Sequence, residues 1–219
     1  MVEEIDRELF MSERVATSPL DGRPSMKIMS SGQPIENVKL KIIDGNGAEL
    51  PERAVGEIAI QSHCMLSGYY NRLDLSEKAF LNGWYLTGDY GYISNGEVFV
   101  SGRKKDMIIV GGKNVYPQDL EMLTYEVPGV HAGRSVAFGM FDEAQGTEEV
   151  VIIAEVDSED SDEQQKIADA IRIHVTKNSA IALRYVKVVG PKWILKTSSG
   201  KTARSANKEK FLKELESQK

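Results

Sequence analysis

Ser101-Gly102-Arg103-Lys104-Lys105-Asp106-Met107-Ile108-Ile109-Val110-Gly111-Gly112-Lys113-Asn114 is where the chain changes character. On its N-terminal side apolar residues alternate with polar ones around short turns, as in half-buried sheet. Val38–Ile43 and residues 56–60 read as two strands around Asp44-Gly45-Asn46-Gly47. Tyr92-Ile93 and residues 98–100 flank Ser94-Asn95-Gly96, where Asn-Gly supplies the positive-φ residues of a hairpin turn. On the C-terminal side helices alternate with strands. Residues 107–110 read as a short strand, Gly111-Gly112 as a turn, and Pro117 opens a helix with Leu120, Leu123 and Val127 on one face. Residues 135–138 and 150–156 read as buried strands. Ser161-Asp162-Glu163-Gln164 has the form of a capping box before a helix carrying Ile167, Ile171 and Val175. Residues 186–189 form a last strand, and Ser205 is placed to cap a final helix presenting Phe211, Leu212 and Leu215. The expected class is α+β, with a β-rich piece over 1–103 and a compact α+β piece over 104–219. Their joint, Arg103 to Lys105, is charged rather than apolar. That suits a hinge, and taken alone it equally suits a solvated turn inside one domain.

A chain of 219 residues with ordinary proportions of apolar and charged residues can bury a sizeable core, so neither disorder nor a fibrous repeat is expected. The net charge of -6 argues against nucleic acid as the partner, since duplex binding needs a clustered basic excess. The charge is uneven, however. Residues 155–163 hold six carboxylates and no base, whereas residues 187–219 hold nine Lys or Arg against three Glu. The basic tail could hold an anion. Cys64 is alone, which excludes an internal disulfide and points to a reducing, cytoplasmic setting. No apolar stretch approaches the roughly 20 residues a bilayer span needs. His63, His131 and His174 have no Cys or His partner at ligand spacing, so no metal site is expected.

Chemistry concentrates in three places. Lys196-Thr197-Ser198-Ser199-Gly200-Lys201 is a loop of small hydroxyl residues beside two lysines, able to bring backbone N–H groups and a cation to a phosphoryl centre. A P-loop would need glycine where Leu195 stands, and a surface loop with solvated lysines is the plain alternative. Asp89, after Thr87-Gly88, offers a carboxylate that can accept from the paired hydroxyls of a ribose, although such a residue is more often satisfied within its own turn. Arg103 offers a guanidinium for ribose or phosphate oxygens, set in an Arg-Lys-Lys run that is commonly a solvated face. Gly111-Gly112-Lys113-Asn114 is an ordinary turn or a place where a ligand passes close to backbone. Tyr69, Tyr70, Trp84 and Tyr85 are read as packing residues.

Taken in order, these segments resemble the adenylate-forming superfamily of acyl-CoA synthetases, peptide-synthetase adenylation domains and luciferases. Gly56-Glu57-Ile58 through Gly68-Tyr69-Tyr70, Tyr85-Leu86-Thr87-Gly88-Asp89, Gly102-Arg103-Lys104-Lys105-Asp106 to Glu121, and Lys196 to Lys201 each match a motif of that family. The resemblance implies that Asp89 and Arg103 hold the nucleotide, Lys105 is a hinge, Gly111, Gly112, Lys113 and Asn114 form the thiol or pantetheine loop, and Lys201 is catalytic. It implies ATP activation of a carboxylic acid as acyl-AMP, then transfer to coenzyme A or to the phosphopantetheine of an acyl carrier protein. The run from Lys105 to Glu121, and residues 2–9 as a subgroup insertion, look closest to fatty acyl-AMP ligases. Leu195 departs from the family's usual proline.

The family's phosphate loop, acyl pocket and magnesium-associated glutamate have no counterpart here. The chain is therefore expected to be the C-terminal portion of a larger ligase: a β-rich remnant of the large domain followed by a small mobile domain, inactive alone, with magnesium bound elsewhere. Strand edges left open are expected to favour self-association. A non-catalytic docking module for acyl carrier protein is the alternative.

Overall fold

The computed structural model describes residues 1–217. The chain folds as two compact units that divide between Lys105 and Asp106, two residues past the boundary read from the sequence. Each has its own sheet and its own core, and the class is α+β.

The first unit contains β1 (Val2–Asp6), α1 (Arg7–Ser12), β2 (Ser25–Met29), β3 (Val38–Ile43), β4 (Gly56–Ser62), α2 (Leu73–Ala79), β5 (Phe80–Leu81), β6 (Trp84–Ser94) and β7 (Glu97–Arg103). β1 and β2 pair antiparallel, and a second sheet runs β3-β4-β6-β5 with β7 along the far half of β6. Asn95 and Gly96 have φ of +52° and +75°, the paired left-handed residues of a type I′ turn, so the β6–β7 hairpin forms where Asn-Gly marked it. Residues 2–9 form β1 and enter α1, with the buried Asp6 carboxylate accepting from Leu9 N–H as the helix cap.

Across that hairpin the Tyr92 and Phe99 rings stack at 4.8 Å, and Phe10 of α1 meets Tyr92 edge-on. Tyr92 is fully buried, so its hydroxyl needs a partner; it donates to Glu3 Oε2 at 3.1 Å. Glu3 Oε1 also accepts from Ser94 Oγ at 2.7 Å and Arg53 Nη2 at 3.0 Å. One carboxylate of β1 thereby binds the first strand to β6 and to the β3–β4 connection.

The second unit contains β8 (Ile108–Val110), β9 (Lys113–Val115), α3 (Pro117–Tyr125), β10 (Ser135–Asp142), β11 (Thr147–Glu155), α4 (Ser161–Ser179), β12 (Leu183–Val189) and α5 (Arg204–Ser217). β10 and β11 are antiparallel, while α4 crosses over to bring β12 parallel to β11. Val136, Phe138, Val151 and Ile153 meet Phe211 and Ile194 on one face of this sheet. Ala137, Ile152 and Ala154 point to the other face, and α3 packs on β10 and α4 on β12. A sheet covered on both faces explains why residues 150–154 are apolar without alternation.

Two caps differ from expectation. Asp160, not Ser161, caps α4 by accepting from Glu163 N–H at 2.8 Å, because Ser158 Oγ occupies the Glu163 carboxylate at 2.6 Å and Ser161 is already helical. Ser205 lies inside α5, whose first turn is closed by Asn207 N–H on the Ala203 carbonyl. No helix among the described residues is long and apolar enough to cross a membrane.

Burial, with Glu3 adding to it, pushes the Tyr92 hydroxyl above its ordinary value. The folded chain thus keeps a proton that the unfolded chain loses near pH 10, and stability from this group is full below that pH and lost as pH rises through the folded value. Tyr92→Phe should cost about 1 kcal/mol at neutral pH and flatten the alkaline decline. Urea unfolding of both proteins between pH 7 and 11 checks this.

Candidate functional site

β6 is irregular where Thr87-Gly88-Asp89 lies. Glu57 pairs with Tyr90 and Ala59 with Leu86, leaving Thr87, Gly88 and Asp89 opposite Ile58 alone. Extra residues on one strand make a bulge, and the broken ladder bonds need substitutes. Thr87 Oγ1 supplies them, donating to the Ile58 carbonyl at 2.9 Å and accepting from Asp89 N–H at 3.0 Å. Gly88 takes φ +71°, where a side chain would strain the backbone even though a Cβ there would meet nothing within 4 Å.

Asp89 and Arg103 are register partners across β6 and β7, and Arg103 Nε lies 3.0 Å from Asp89 Oδ1. Their side chains are 31% and 57% exposed, so the pair adds little stability but is open to a ligand. The two residues proposed for the nucleotide are therefore brought together. Tyr69 and Tyr70 are exposed rather than packed, correcting the expectation for those rings. Tyr69 Oη meets Tyr85 Oη at 3.1 Å, and Ser76 Oγ of α2 accepts from Tyr69 N–H at 2.8 Å. The bond to Tyr69 pushes the Tyr85 phenol up, burial adds to this, and the Arg103 charge pulls it down. The tyrosines were legible only as aromatic residues; their exposure depends on the loop that α2 holds.

Lys105 sits within a 3-10 turn over Lys104–Asp106 and is exposed. Its neighbours are held. Lys104 Nζ bonds Glu57 Oε2 at 2.7 Å, and Arg204 Nη1 bonds Asp106 Oδ2 at 3.1 Å. The Gly111-Gly112 turn joins β8 to β9 with φ of +55° and +81°, again type I′. Gly111 N–H donates to Thr147 Oγ1 at 2.9 Å, Thr147 Oγ1 donates to the Ile109 carbonyl at 3.0 Å, and Ile109 N–H donates to Glu148 Oε2 at 2.7 Å. Gly111 and Gly112 are exposed and Lys113 partly so, whereas Asn114 is buried.

The Lys201 loop is a short hairpin. Lys196 and Thr202 bridge, Gly200 N–H donates to the Thr197 carbonyl, Thr197 N–H donates to the Lys201 carbonyl, and Gly200 turns the chain at φ +80°. Lys201 N–H donates to Thr197 Oγ1 at 3.2 Å. The N–H groups of Thr197, Gly200 and Lys201 are committed in this way and do not take part in a P-loop cradle. Lys201 itself is exposed.

The base of the hairpin depends on Asn207, fully buried on α5. Its Oδ1 accepts from Leu195 N–H at 2.8 Å, while its Nδ2 donates to the carbonyls of Leu195 and Ala203, each at 2.9 Å. Arg204, 14% exposed, donates from Nε to the Ala137 carbonyl at 2.8 Å and from Nη2 to Glu121 Oε1 at 2.6 Å. Glu121 Oε1 accepts from Ala137 N–H as well, at 2.9 Å. Burial pushes the Glu121 carboxyl above the ordinary glutamate value, and Arg204 pulls it back. Neither Asn207 nor Arg204 stands out in the sequence, because a lone polar residue in a helix start is ordinary until its partners are known. Among the described residues no three His, Cys, Asp or Glu side chains gather as metal ligands.

No protein-family profile matches the chain. Individual proteins do. Rv1013 of Mycobacterium tuberculosis, provisionally named a ligase, is 33% identical over 94% of this chain and 38% of its own length. JamA of Moorena producens, a medium-chain-fatty-acid–[acyl-carrier-protein] ligase by name, is 32% identical over 90% of this chain and 35% of its own. A solved fatty acyl-adenylate ligase, from a study of the E. coli and L. pneumophila enzymes, matches all of this chain at 28% identity and a TM-score of 0.87, covering 39% of that chain. The chain belongs to the adenylate-forming superfamily and corresponds to the C-terminal portion of its members. It spans less than two fifths of the length of these relatives.

Asn207→Ala should leave Leu195 N–H unpaired, the Leu195 carbonyl keeping its bond from Ala203 N–H, and destabilise the second unit by about 1–3 kcal/mol. Hydrogen exchange should show Leu195 and Ala203 losing protection while β6 and β7 keep theirs.

Proposed function

We propose that this chain is the adenylate-handling and domain-alternating part of a ligase that activates a fatty acid as acyl-AMP and passes it to a pantetheine thiol. The observation that carries this is the Asp89–Arg103 pair: residues on the two strands of one hairpin lie side by side at a bulge, open to solvent and oppositely charged. A carboxylate there can accept from both hydroxyls of a ribose while the guanidinium donates to its oxygens.

Lys201 is the catalytic residue in this proposal. Its exposed side chain rises from a loop braced by Thr197, whose hydroxyl meets Ser199 Oγ and accepts from Lys201 N–H, and the ammonium is available to charge developing between carboxylate and α-phosphate. ATP supplies the adenylyl group when bound, and magnesium is held outside this chain. Lys105 is the hinge about which the second unit turns, replacing Lys201 by the loop of Gly111, Gly112, Lys113 and Asn114 for the thiol step. The first unit is then the tail of the large domain and the second the small mobile domain. The thiol acceptor is coenzyme A or, as the name of JamA favours, an acyl carrier protein.

Mixed with ATP and a fatty acid, the 219-residue chain alone should release no AMP; measurable release overturns its assignment as a partial site. In the ligase that contains it, Lys201→Ala should lower acid-dependent pyrophosphate exchange by roughly 10²–10³ and spare thiol transfer from supplied acyl-AMP. Equal losses in both half-reactions would remove Lys201 from the adenylation step alone.

A further inference from the structure

Between the last ladder residue of β7, Arg103, and the first residue of β8, Ile108, the chain passes from one unit to the other. Of the residues between them, Lys104 is tied back to the first unit. Its ammonium lies 2.7 Å from Glu57 Oε2, and Glu57 is 8% exposed on β4, an interior strand paired on both sides. Asp106 is tied forward to the second unit. Its carboxylate, 17% exposed, receives Arg204, whose other donors are fixed on α3 and β10. Met107 lies between Asp106 and the buried Ile108. Among the described residues, the Lys105 side chain makes no hydrogen bond or ion pair.

We infer that two side-chain clamps, Lys104 on Glu57 and Asp106 on Arg204, confine rotation between the units to Lys105, which makes Glu57, Lys104, Asp106 and Arg204 positioning residues for the two-step reaction. This rests on the pivot role proposed for Lys105. A pivot of one residue turns through its φ and ψ without breaking either clamp, whereas each added loose residue brings conformational entropy that must be lost whenever one orientation is held. Glu57 also holds the Lys104 ammonium above the ordinary lysine value, as expected of a charge-assisted bond to a carboxylate shielded from water. Arg204 has a double part, since it opens the helix that carries the base of the Lys201 hairpin. The residue that sets the second unit's end of the pivot therefore also sets the posture of the catalytic loop.

Spin labels on the native exposed Cys64 and on Ile173→Cys, an exposed position of α4, place one probe on each unit of the intact chain. Pulsed EPR then reads the spread of distances between them. Lys104→Met and Glu57→Gln should each widen the distribution relative to the parent, the double variant should widen it no further than either single change, and Lys104→Arg should keep the parent width. Asp106→Ala should widen it independently. Circular dichroism confirms that each variant is folded, and Lys104→Met carries the test should a buried variant fail to fold. Unchanged width in both Lys104→Met and Asp106→Ala overturns the inference, as does widening by Lys104→Arg equal to that of Lys104→Met. The distance spread reports the joint whether or not the chain supports catalysis. Failure of the Lys201 half-reaction test would thus remove the adenylation proposal and leave the clamps standing, and the reverse holds equally.

Discussion

The Arg204 guanidinium is the interaction on which the second unit turns. β10 is an edge strand, and the peptide of Ala137 points its N–H and C=O away from β11. Left open, such an edge invites other strands; here Glu121 takes the N–H and Arg204 takes the C=O, while the two side chains bond each other. At Ala137 the edge is closed by a ring of charge-assisted bonds instead of by another strand. A partly buried ion pair of this kind is weak as a net source of stability, yet losing one member is costly, about 3–5 kcal/mol, because the other is stranded. It acts as a specification: α3, β10, α5 and the start of the unit at Asp106 have one mutual arrangement in which Arg204, Glu121, Asp106 and the Ala137 peptide are all bonded.

In the first unit the corresponding constraint is the departure of β6 from regularity. A strand in register would alternate its side chains strictly between faces, and Asp89 would be placed by that rule alone. The bulge at Thr87 to Asp89 breaks the alternation, and a second irregularity between Tyr90 and Gly91 sets Ser101 aside, its hydroxyl donating to the Tyr90 carbonyl. At the end of the first irregularity and just before the second, the Asp89–Arg103 pair is presented at the surface. Threonine, glycine and aspartate are adjacent there for separate reasons: a hydroxyl to replace ladder bonds, a residue that tolerates left-handed backbone, and a carboxylate to deliver.

Much of this was legible before any coordinates. Asn95-Gly96 announces its turn through the one backbone conformation the pair favours, and the unbroken run at 150–154 announces a strand covered on both faces. The order of the motifs pointed to Asp89, Arg103 and Lys201, and the structure brings the first two together within the first unit. Local signals failed where several residues compete for one role: Ser158, Asp160 and Ser161 lie within four positions of one another, and Asp160 takes the Glu163 N–H while Ser158 takes its carboxylate. Supporting residues were invisible for a different reason. Arg204 acts through partners 67 to 98 residues away, Asn207 through a loop twelve residues back, and Glu3 gathers Arg53 from one segment and Tyr92 and Ser94 from another, so nothing in their own neighbourhoods marks them.

The glycine turn between β8 and β9 is held from outside itself. Thr147 and Glu148, on a different hairpin, bond the backbone of Gly111 and Ile109, so the posture of the turn is written partly in residues that belong to no motif. A lineage could retune that turn by exchanging Thr147 while every letter of Gly-Gly-Lys-Asn stayed constant. Two chains with the same Gly-Gly-Lys-Asn signature can therefore hold that turn differently, and the difference would lie in the first residues of β11.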